Sequence, residues 1–177
     1  MAISIAAFFL LAPVMAVVAV LIKVCDPGPV IFCQVRVGLD GNKFAIYKFR
    51  SMPVNTASVS SDKIGVISLT WVGRFLRRSN LDELPQLFNI LRGDMSLVGP
   101  RPPIESQIEL IELRKETGAL SCRPGLTGLA QVNSFDGMSV EEKARFDAEY
   151  ASKISFLGDI RIILKTFLYL LKPAPVY

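Results

Sequence analysis

The chain has 177 residues, enough for one domain with a real hydrophobic core and short for two. Apolar residues make up 51% and charged residues only 20%, so part of the apolar surface is expected to face lipid; a net charge of +4 is compatible with nucleic acid, an anionic membrane surface or a phosphorylated small molecule. The absence of histidine excludes Ser-His-Asp and Cys-His catalysis, leaving carboxylates, lysines and hydroxyls as acids, bases and nucleophiles.

From Ala2 to Ile22 no residue is charged. As a helix this run would reach about 31 Å, close to the thickness of a bilayer's hydrocarbon layer. A retained segment is expected and not a cleaved signal, since no basic region precedes it and no small-residue cleavage site follows. Pro13 at its centre removes an amide donor and crowds the carbonyl one turn earlier, so a kink is expected. The residues admit two topologies, a kinked span or a sharp break that returns the chain to its own face, and base rates favour the span. Under either one, Lys23 and Arg36 place the remainder in the cytoplasm by the positive-inside tendency.

Asp26-Pro27-Gly28-Pro29 reads as a stop and turn, followed by a β-rich stretch from Val30 to Val37, a turn over Gly38-Leu39-Asp40-Gly41-Asn42 and a partner strand from Lys43 to Phe49. Residues 53–61 are small and polar and read as a loop. Helical periodicity returns over Trp71–Arg78 and Leu81–Leu91, with Leu84, Leu87, Phe88 and Leu91 expected to face a core. Gly93 ends that helix, Gly99 to Pro103 form a rigid connector, and Ile104–Glu116 reads as a further helix closed by Gly118. A loop holding Pro124, Gly125 and Gly128 leads to a charged helix over 139–152, whose Glu141, Glu142 and Lys143 read as a solvated face. The last apolar stretch, Phe156–Lys172, suits either a core-packing helix or one lying flat in the headgroup layer.

The three cysteines, Cys25, Cys33 and Cys122, match no zinc or redox spacing and suit a reducing cytoplasm. Between Arg74 and Arg101 the chain holds five arginines and no lysine: Arg74, Arg77, Arg78, Arg92 and Arg101. The guanidinium fork binds phosphate oxygens bidentately and keeps its charge, so the cluster suits a phosphate or pyrophosphate; ordinary surface charge is the alternative. In the same stretch Asp82 and Glu83 stand together. An acidic pair at a helix start is usually favourable placement against the macrodipole, with Asp82 as a cap. Their different directions also permit one to attack while the other holds a cation or a proton.

Five motifs then carry a resemblance: K-F-R-S-M at 48–52, V-G-R-F-L-R-R at 72–78, L-D-E-L-P-Q-L-F-N at 81–89, G-D-M-S-L-V-G-P-R-P at 93–102 and R-P-G-L-T-G-L-A-Q-V-N at 123–133. In this order they resemble the bacterial sugar transferase family, the monotopic phosphoglycosyl transferases, over nearly the whole chain. The resemblance implies that Asp82 attacks the β-phosphorus of a UDP-sugar and releases UMP, that polyprenyl phosphate then takes the phosphosugar from Asp82, and that Mg²⁺ shields the pyrophosphate. It implies that Glu83 is the second member of the dyad, with Asp82 and Glu83 as metal ligands, and that Lys48, Arg77 and Arg101 bind phosphate. It also implies that the N-terminal helix breaks at Pro13 and re-enters, although Ala12 stands where the family has serine. Pro103 and Ser134-Phe135-Asp136 likewise depart from the family pattern and bear on sugar choice.

The expected fold is mainly α with a small β-hairpin: a re-entrant membrane helix over 1–23, and a compact cytoplasmic catalytic domain over 24–177 that includes interfacial amphipathic helices, the C-terminal one at 156–172. The expected location is the bacterial inner membrane, facing the cytoplasm. The expected partners are a UDP-sugar, polyprenyl phosphate and the membrane; monomer and homodimer both stay open. No nucleic-acid motif is visible, and few aromatics interleave with the arginines, which argues against nucleic acid. Two other functions compete: a glycosyltransferase that releases UDP, and a noncatalytic membrane-anchored module that binds anions.

Overall fold

The structure is a computed structural model that describes residues 2–54, 69–133 and 138–170. Most of the loop expected at 53–61, together with Ser134-Phe135-Asp136 and Lys172, lies outside the described residues. Seven helices and two two-stranded sheets are seen among the described residues: α1 (Ala2–Cys25), β1 (Ile31–Val37), β2 (Lys43–Phe49), α2 (Trp71–Ser79), α3 (Gln86–Arg92), β3 (Ser96–Val98), α4 (Ile108–Glu116), β4 (Gly125–Thr127), α5 (Leu129–Asn133), α6 (Val140–Ser152) and α7 (Phe156–Leu170). The mainly helical class and the β1–β2 hairpin agree with the sequence reading. The described residues divide into two compact units, one holding 2–34, 45–54 and 69–91 and the other 35–44, 92–133 and 138–170.

In the first unit, α1 continues as helix through Pro13 and reaches Cys25. Its Ala6–Cys25 stretch is long and apolar enough to cross a membrane, by length and composition. One stripe is buried: Val18 and Ile22 pack with Phe49, Val72 and Leu76, while Phe9, Leu10, Val17, Val20 and Val24 stay exposed. The expected stop at Asp26 to Pro29 is present. Gly28 has φ 149°, and a Cβ there would collide with the Arg50 guanidinium, which bonds the Asp26 carbonyl and lies 3.3 Å from the Asp26 carboxylate. The end of α1 is thereby tied to the end of β2. Thr70 caps α2 by accepting from the Gly73 amide at 3.0 Å, and Gly73 lets the helix approach the Ser51 carbonyl, since a Cβ there would sit 2.1 Å from it. Val72 and Leu76 turn inward, leaving Trp71, Arg74, Phe75 and Arg78 exposed.

In the second unit β3 and β4 pair in parallel, Ser96 opposite Gly125 and Val98 opposite Thr127, a sheet the sequence reading left as connector and loop. Three motif glycines make it possible. A Cβ on Gly99 would lie 2.3 Å from the Arg123 carbonyl, one on Gly125 2.1 Å from the Gly99 amide, and one on Gly128 2.1 Å from the Gly99 carbonyl. Val98, Tyr150 and Ile162 form the core here, with Leu97, Leu129, Val132 and Ile163 against it. Helix α4 starts at Ile108 and not at Ile104, because Gln107 closes a turn on Ile104 through its own amide (3.0 Å) and its side-chain oxygen (3.1 Å). Helix α6 carries a Ser139–Glu142 capping box; Glu141 and Glu142 are exposed as expected, whereas Lys143 is half-buried. Helix α7 has a core side at Ile162 and Ile163, and a second side on which Phe156, Leu157, Leu164, Phe167 and Leu168 are exposed.

Helices α4 and α6 are joined by a buried ion pair. Arg114 donates to Asp147 Oδ2 from Nε at 2.9 Å and from Nη2 at 2.6 Å, and from Nη1 to the Arg101 carbonyl at 2.9 Å; both side chains are 2% exposed. Burial pushes the Asp147 carboxyl above its ordinary value of 3.8, with Arg114 and Lys143 pulling the other way. Removing the guanidinium leaves a buried carboxyl unpaired, so Arg114→Met should cost about 3–5 kcal/mol. The loss should grow as the pH rises through the already raised value of Asp147 in the intact pair, because the folded variant, without the guanidinium, binds the Asp147 proton more tightly than the folded parent does. Chemical denaturation of the variant in detergent at pH 4.5 and pH 7.5 measures both effects.

Candidate active site

The acidic pair lies on a 3₁₀ turn, Leu81–Glu83, that precedes α3. The uninterrupted helix expected over Leu81–Leu91 is therefore corrected to a 3₁₀ turn followed by α3. Pro85 is the reason: it has no N–H to give the Leu81 carbonyl and its ring crowds that oxygen, so Leu84 donates there instead, at 3.3 Å. The i→i−3 bonds Glu83 to Asn80, Leu84 to Leu81, Leu87 to Leu84 and Phe88 to Pro85 wind the segment at about three residues per turn. Asn80 makes the entry in the left-handed region, φ 53°, with no side-chain cap of the turn.

This winding stacks Glu83, Gln86 and Asn89 in one column, since residues three apart eclipse in a 3₁₀ turn and are neighbours on an α-helix. The column meets β2. Asn89 is fully buried; its Oδ1 accepts from the Tyr47 amide at 3.1 Å and its Nδ2 donates to the Ala45 carbonyl at 2.7 Å. The carboxamide thus stands in for a peptide group of a neighbouring strand. Two places earlier in the column, Glu83 Oε1 accepts from Lys48 Nζ at 2.8 Å, with each side chain 16% exposed. That is more shielded than an ordinary surface ion pair, yet still within reach of a ligand. Asp82 is 9% exposed, and consecutive residues of a 3₁₀ turn project about 120° apart, so the two carboxylates take different directions.

The structure therefore brings Lys48 and Glu83 into contact beside Asp82. Arg77 lies half-buried in the last turn of α2, three residues before the Asn80 entry, with exposed Arg74 and Arg78 on the same helix. Arg101 belongs to the second unit and is exposed. Its backbone is firmly held: Arg114 takes the Arg101 carbonyl, Arg36 Nη1 the Pro102 carbonyl at 3.1 Å, and the Val37 amide the Pro103 carbonyl at 3.0 Å. Arg92 ends α3 and lies 3.4 Å from Asp94. Of the residues expected to face a core, Leu87 is buried, whereas Phe88 is exposed and edge-on to Tyr47.

Among the described residues no group of three or more cysteines, aspartates and glutamates gathers as a metal cage. Magnesium commonly takes only one or two carboxylates plus the phosphates of its substrate, so the adjacent Asp82 and Glu83 carboxylates fit an ion that arrives with a pyrophosphate. The sequence reading assigned nothing to Gln86 and Asn89. The available signal was two uncharged polar residues on the core-facing side of a helix, in positions where apolar residues would otherwise be expected.

The chain matches the model of the bacterial sugar transferase family over residues 1–173, and it belongs to that family. The UDP-glucose:undecaprenyl-phosphate glucose-1-phosphate transferase of Escherichia coli strain K12 is 42% identical over 171 residues, which cover 89% of this chain and 36% of that protein. A protein of the same name from Caulobacter vibrioides is 40% identical, over 89% of this chain and 62% of its own length. The undecaprenyl-phosphate galactose phosphotransferase of Salmonella typhimurium is 39% identical, over 80% and 33% respectively. The chain thus spans about a third of the length of several relatives that it matches.

Asn89→Leu keeps the bulk but leaves the Tyr47 amide and the Ala45 carbonyl unpaired. It should cost about 1–3 kcal/mol for each group, read by denaturation in detergent.

Proposed function

We propose that this chain transfers a sugar phosphate from a UDP-sugar to polyprenyl (undecaprenyl) phosphate at the cytoplasmic face of the bacterial inner membrane, releasing UMP. The single observation that carries the reading is the Lys48–Glu83 pair, 2.8 Å, set beside Asp82 in the family's D-E motif. Relatives named as glucose-1-phosphate and galactose phosphotransferases support the same chemistry. The product would be the first membrane-committed intermediate of a bacterial glycan.

The chemistry runs in two displacements. An Asp82 carboxylate oxygen attacks the β-phosphorus, the bond from that phosphorus to the bridging oxygen breaks, and UMP leaves with the electron pair. The phosphosugar then sits on Asp82 as an acyl phosphate. An oxygen of polyprenyl phosphate attacks the same phosphorus, which frees the Asp82 carboxylate and forms the diphosphate-linked sugar. Splitting one transfer this way replaces a difficult reaction with two easier ones. Lys48, drawn from Glu83 toward the incoming phosphates, and Arg77 hold negative charge as it moves; the family resemblance assigns Arg101 to the same task. Asp82 and Glu83 would hold Mg²⁺, which when bound would supply charge neutralisation for an anionic nucleophile.

The membrane arrangement belongs to the same proposal. Helix α1, which runs unbroken from Ala2 to Cys25 in the structure, would enter the bilayer and there open and reverse near Pro13, where the missing amide weakens it, and the exposed side of α7 would lie at headgroup depth. A cysteine at position 2, in a chain without the three native cysteines, should then be labelled from the cytoplasmic side only. Labelling of intact cells by a membrane-impermeant reagent would show a span instead. Pro13→Ala should move part of the population toward spanning.

With UDP-sugar and Mg²⁺ but no polyprenyl phosphate, each active site should release at most one UMP and gain the mass of a phosphosugar. Asp82→Asn should do neither, and Glu83→Gln should turn over about 10²–10⁴-fold more slowly. Release of UDP in place of UMP would point to a glycosyltransferase, and an adduct surviving in Asp82→Asn would refute the covalent route.

A further inference from the structure

The hairpin sets an exposed aromatic residue beside the lysine of the site. Across the turn the Gly38 amide donates to the Asn42 carbonyl at 2.8 Å, and at the open end the Arg50 amide donates to the Val30 carbonyl at 2.9 Å. Val30 lies eight positions before Gly38 and Arg50 eight after Asn42, so β1 and β2 pair without a bulge and Phe32 comes directly opposite Lys48. The bonds from Asn89 agree, because Tyr47 and Ala45 turn their main-chain groups away from β1 and leave those of Lys48 to pair with it. Directly opposite residues of an antiparallel pair share a face, with Cβ atoms about 5 Å apart. Lys48 reaches from there to Glu83, whereas the Phe32 ring stays 39% exposed.

The same end of the hairpin adjoins the apolar helix. Val30 and Phe49 pack in one cluster with Val18 and Ile22, which belong to the last two turns of α1. At about 3.3 Å per strand residue, Phe32 lies within roughly 7 Å of Val30 along β1. Ile31, on the opposite face, is also 39% exposed, so this end of β1 is apolar and open on both faces. Building on the sugar-phosphate transfer proposed above, we propose that Phe32 is the contact for the first isoprene units of the polyprenyl acceptor, whose phosphate Lys48 receives. Of the two substrates only the acceptor joins its phosphate directly to an apolar chain, and only the acceptor comes from the lipid side, where α1 lies. A UDP-sugar carries polar groups on both sides of its pyrophosphate and comes from water. The contact is made equally before and during attack on the loaded Asp82, so it sets acceptor affinity and not the rate of the reacting step. It has no part in the first displacement, in which Asp82 is loaded.

The test is Phe32→Thr in the full chain, purified in detergent; threonine keeps a strand-forming residue at this exposed position and removes the ring. Incubated with Mg²⁺ and the UDP-sugar that gives the unsubstituted chain its UMP burst, the variant should load to the same extent, with rate and KM within about twofold. Discharge of the loaded enzyme is then followed against the mole fraction of undecaprenyl phosphate in the micelles. The half-saturating fraction should rise at least about tenfold, as expected when an apolar contact of this size is lost, while the saturated rate stays within about threefold. Phe32→Leu, which keeps an apolar side chain, should recover most of that loss. An unchanged half-saturating fraction, a loss that Phe32→Leu does not recover, or loading slowed as much as discharge overturns the proposal; the last outcome would put the ring against the nucleotide sugar or make it a residue of the fold alone. Failure of the parent reading looks different: the unsubstituted chain would release no UMP from any UDP-sugar and no loaded enzyme would form, whereas a loaded enzyme whose discharge is indifferent to Phe32→Thr removes only the role of Phe32.

Discussion

Because the Asn89 carboxamide accepts from the Tyr47 amide and donates to the Ala45 carbonyl while wholly buried, α3 can lie against β2 in one register only. A shift of one residue along the helix would bury both main-chain groups unpaired and put an apolar side chain in their place. The cost of such orphaned groups is what makes the docking specific. Everything upstream on the same column inherits that register. Glu83 comes opposite Lys48, and Asp82 takes its own direction from the tight winding that Pro85 imposes. The bond also satisfies two groups of the strand, which blunts an edge that could otherwise recruit another strand.

The two units solve the same difficulty, that of fixing polar segments among few core residues, by the same means. In the first, Arg50 is buried across the exit of α1 and joins it to the end of β2 through Asp26. In the second, Arg114 is buried between α4 and α6 and holds the Arg101 carbonyl as well as Asp147. Arg114 spreads three nitrogens in a fixed fork over two segments, whereas Arg50 reaches the Asp26 carbonyl and carboxylate through Nη2 alone. Arg101 shows the consequence at a residue the family resemblance assigns to phosphate: its main chain is clamped by Arg114, and its side chain is exposed.

The motifs that carry the family resemblance divide by physical task. In L-D-E-L-P-Q-L-F-N, two residues present carboxylates, one winds the turn and one docks the helix. In G-P-R-P and R-P-G-L-T-G, the glycines at 99, 125 and 128 are there because backbone meets backbone where no Cβ fits. Motif residues of the second kind hold the loop geometry.

Residue type and spacing alone determined much of this protein: the apolar N-terminal helix with its proline, the β1–β2 hairpin to within one residue of its bounds, α2, and the charged helix α6. These follow from local periodicity, turn chemistry and capping, which act over a few residues and can be read without knowing what lies across from them. Tertiary structure decided the rest. The short β3–β4 pair joins segments almost thirty residues apart, and strands of three residues carry no periodicity to read. The break of the expected Leu81–Leu91 helix, the shortening of α4 by the Gln107 turn, and the tasks of Asn89 and Arg114 likewise depend on what each side chain meets. A buried polar residue and an exposed one are spelled the same way; only the partner, fixed by packing at long range, tells them apart.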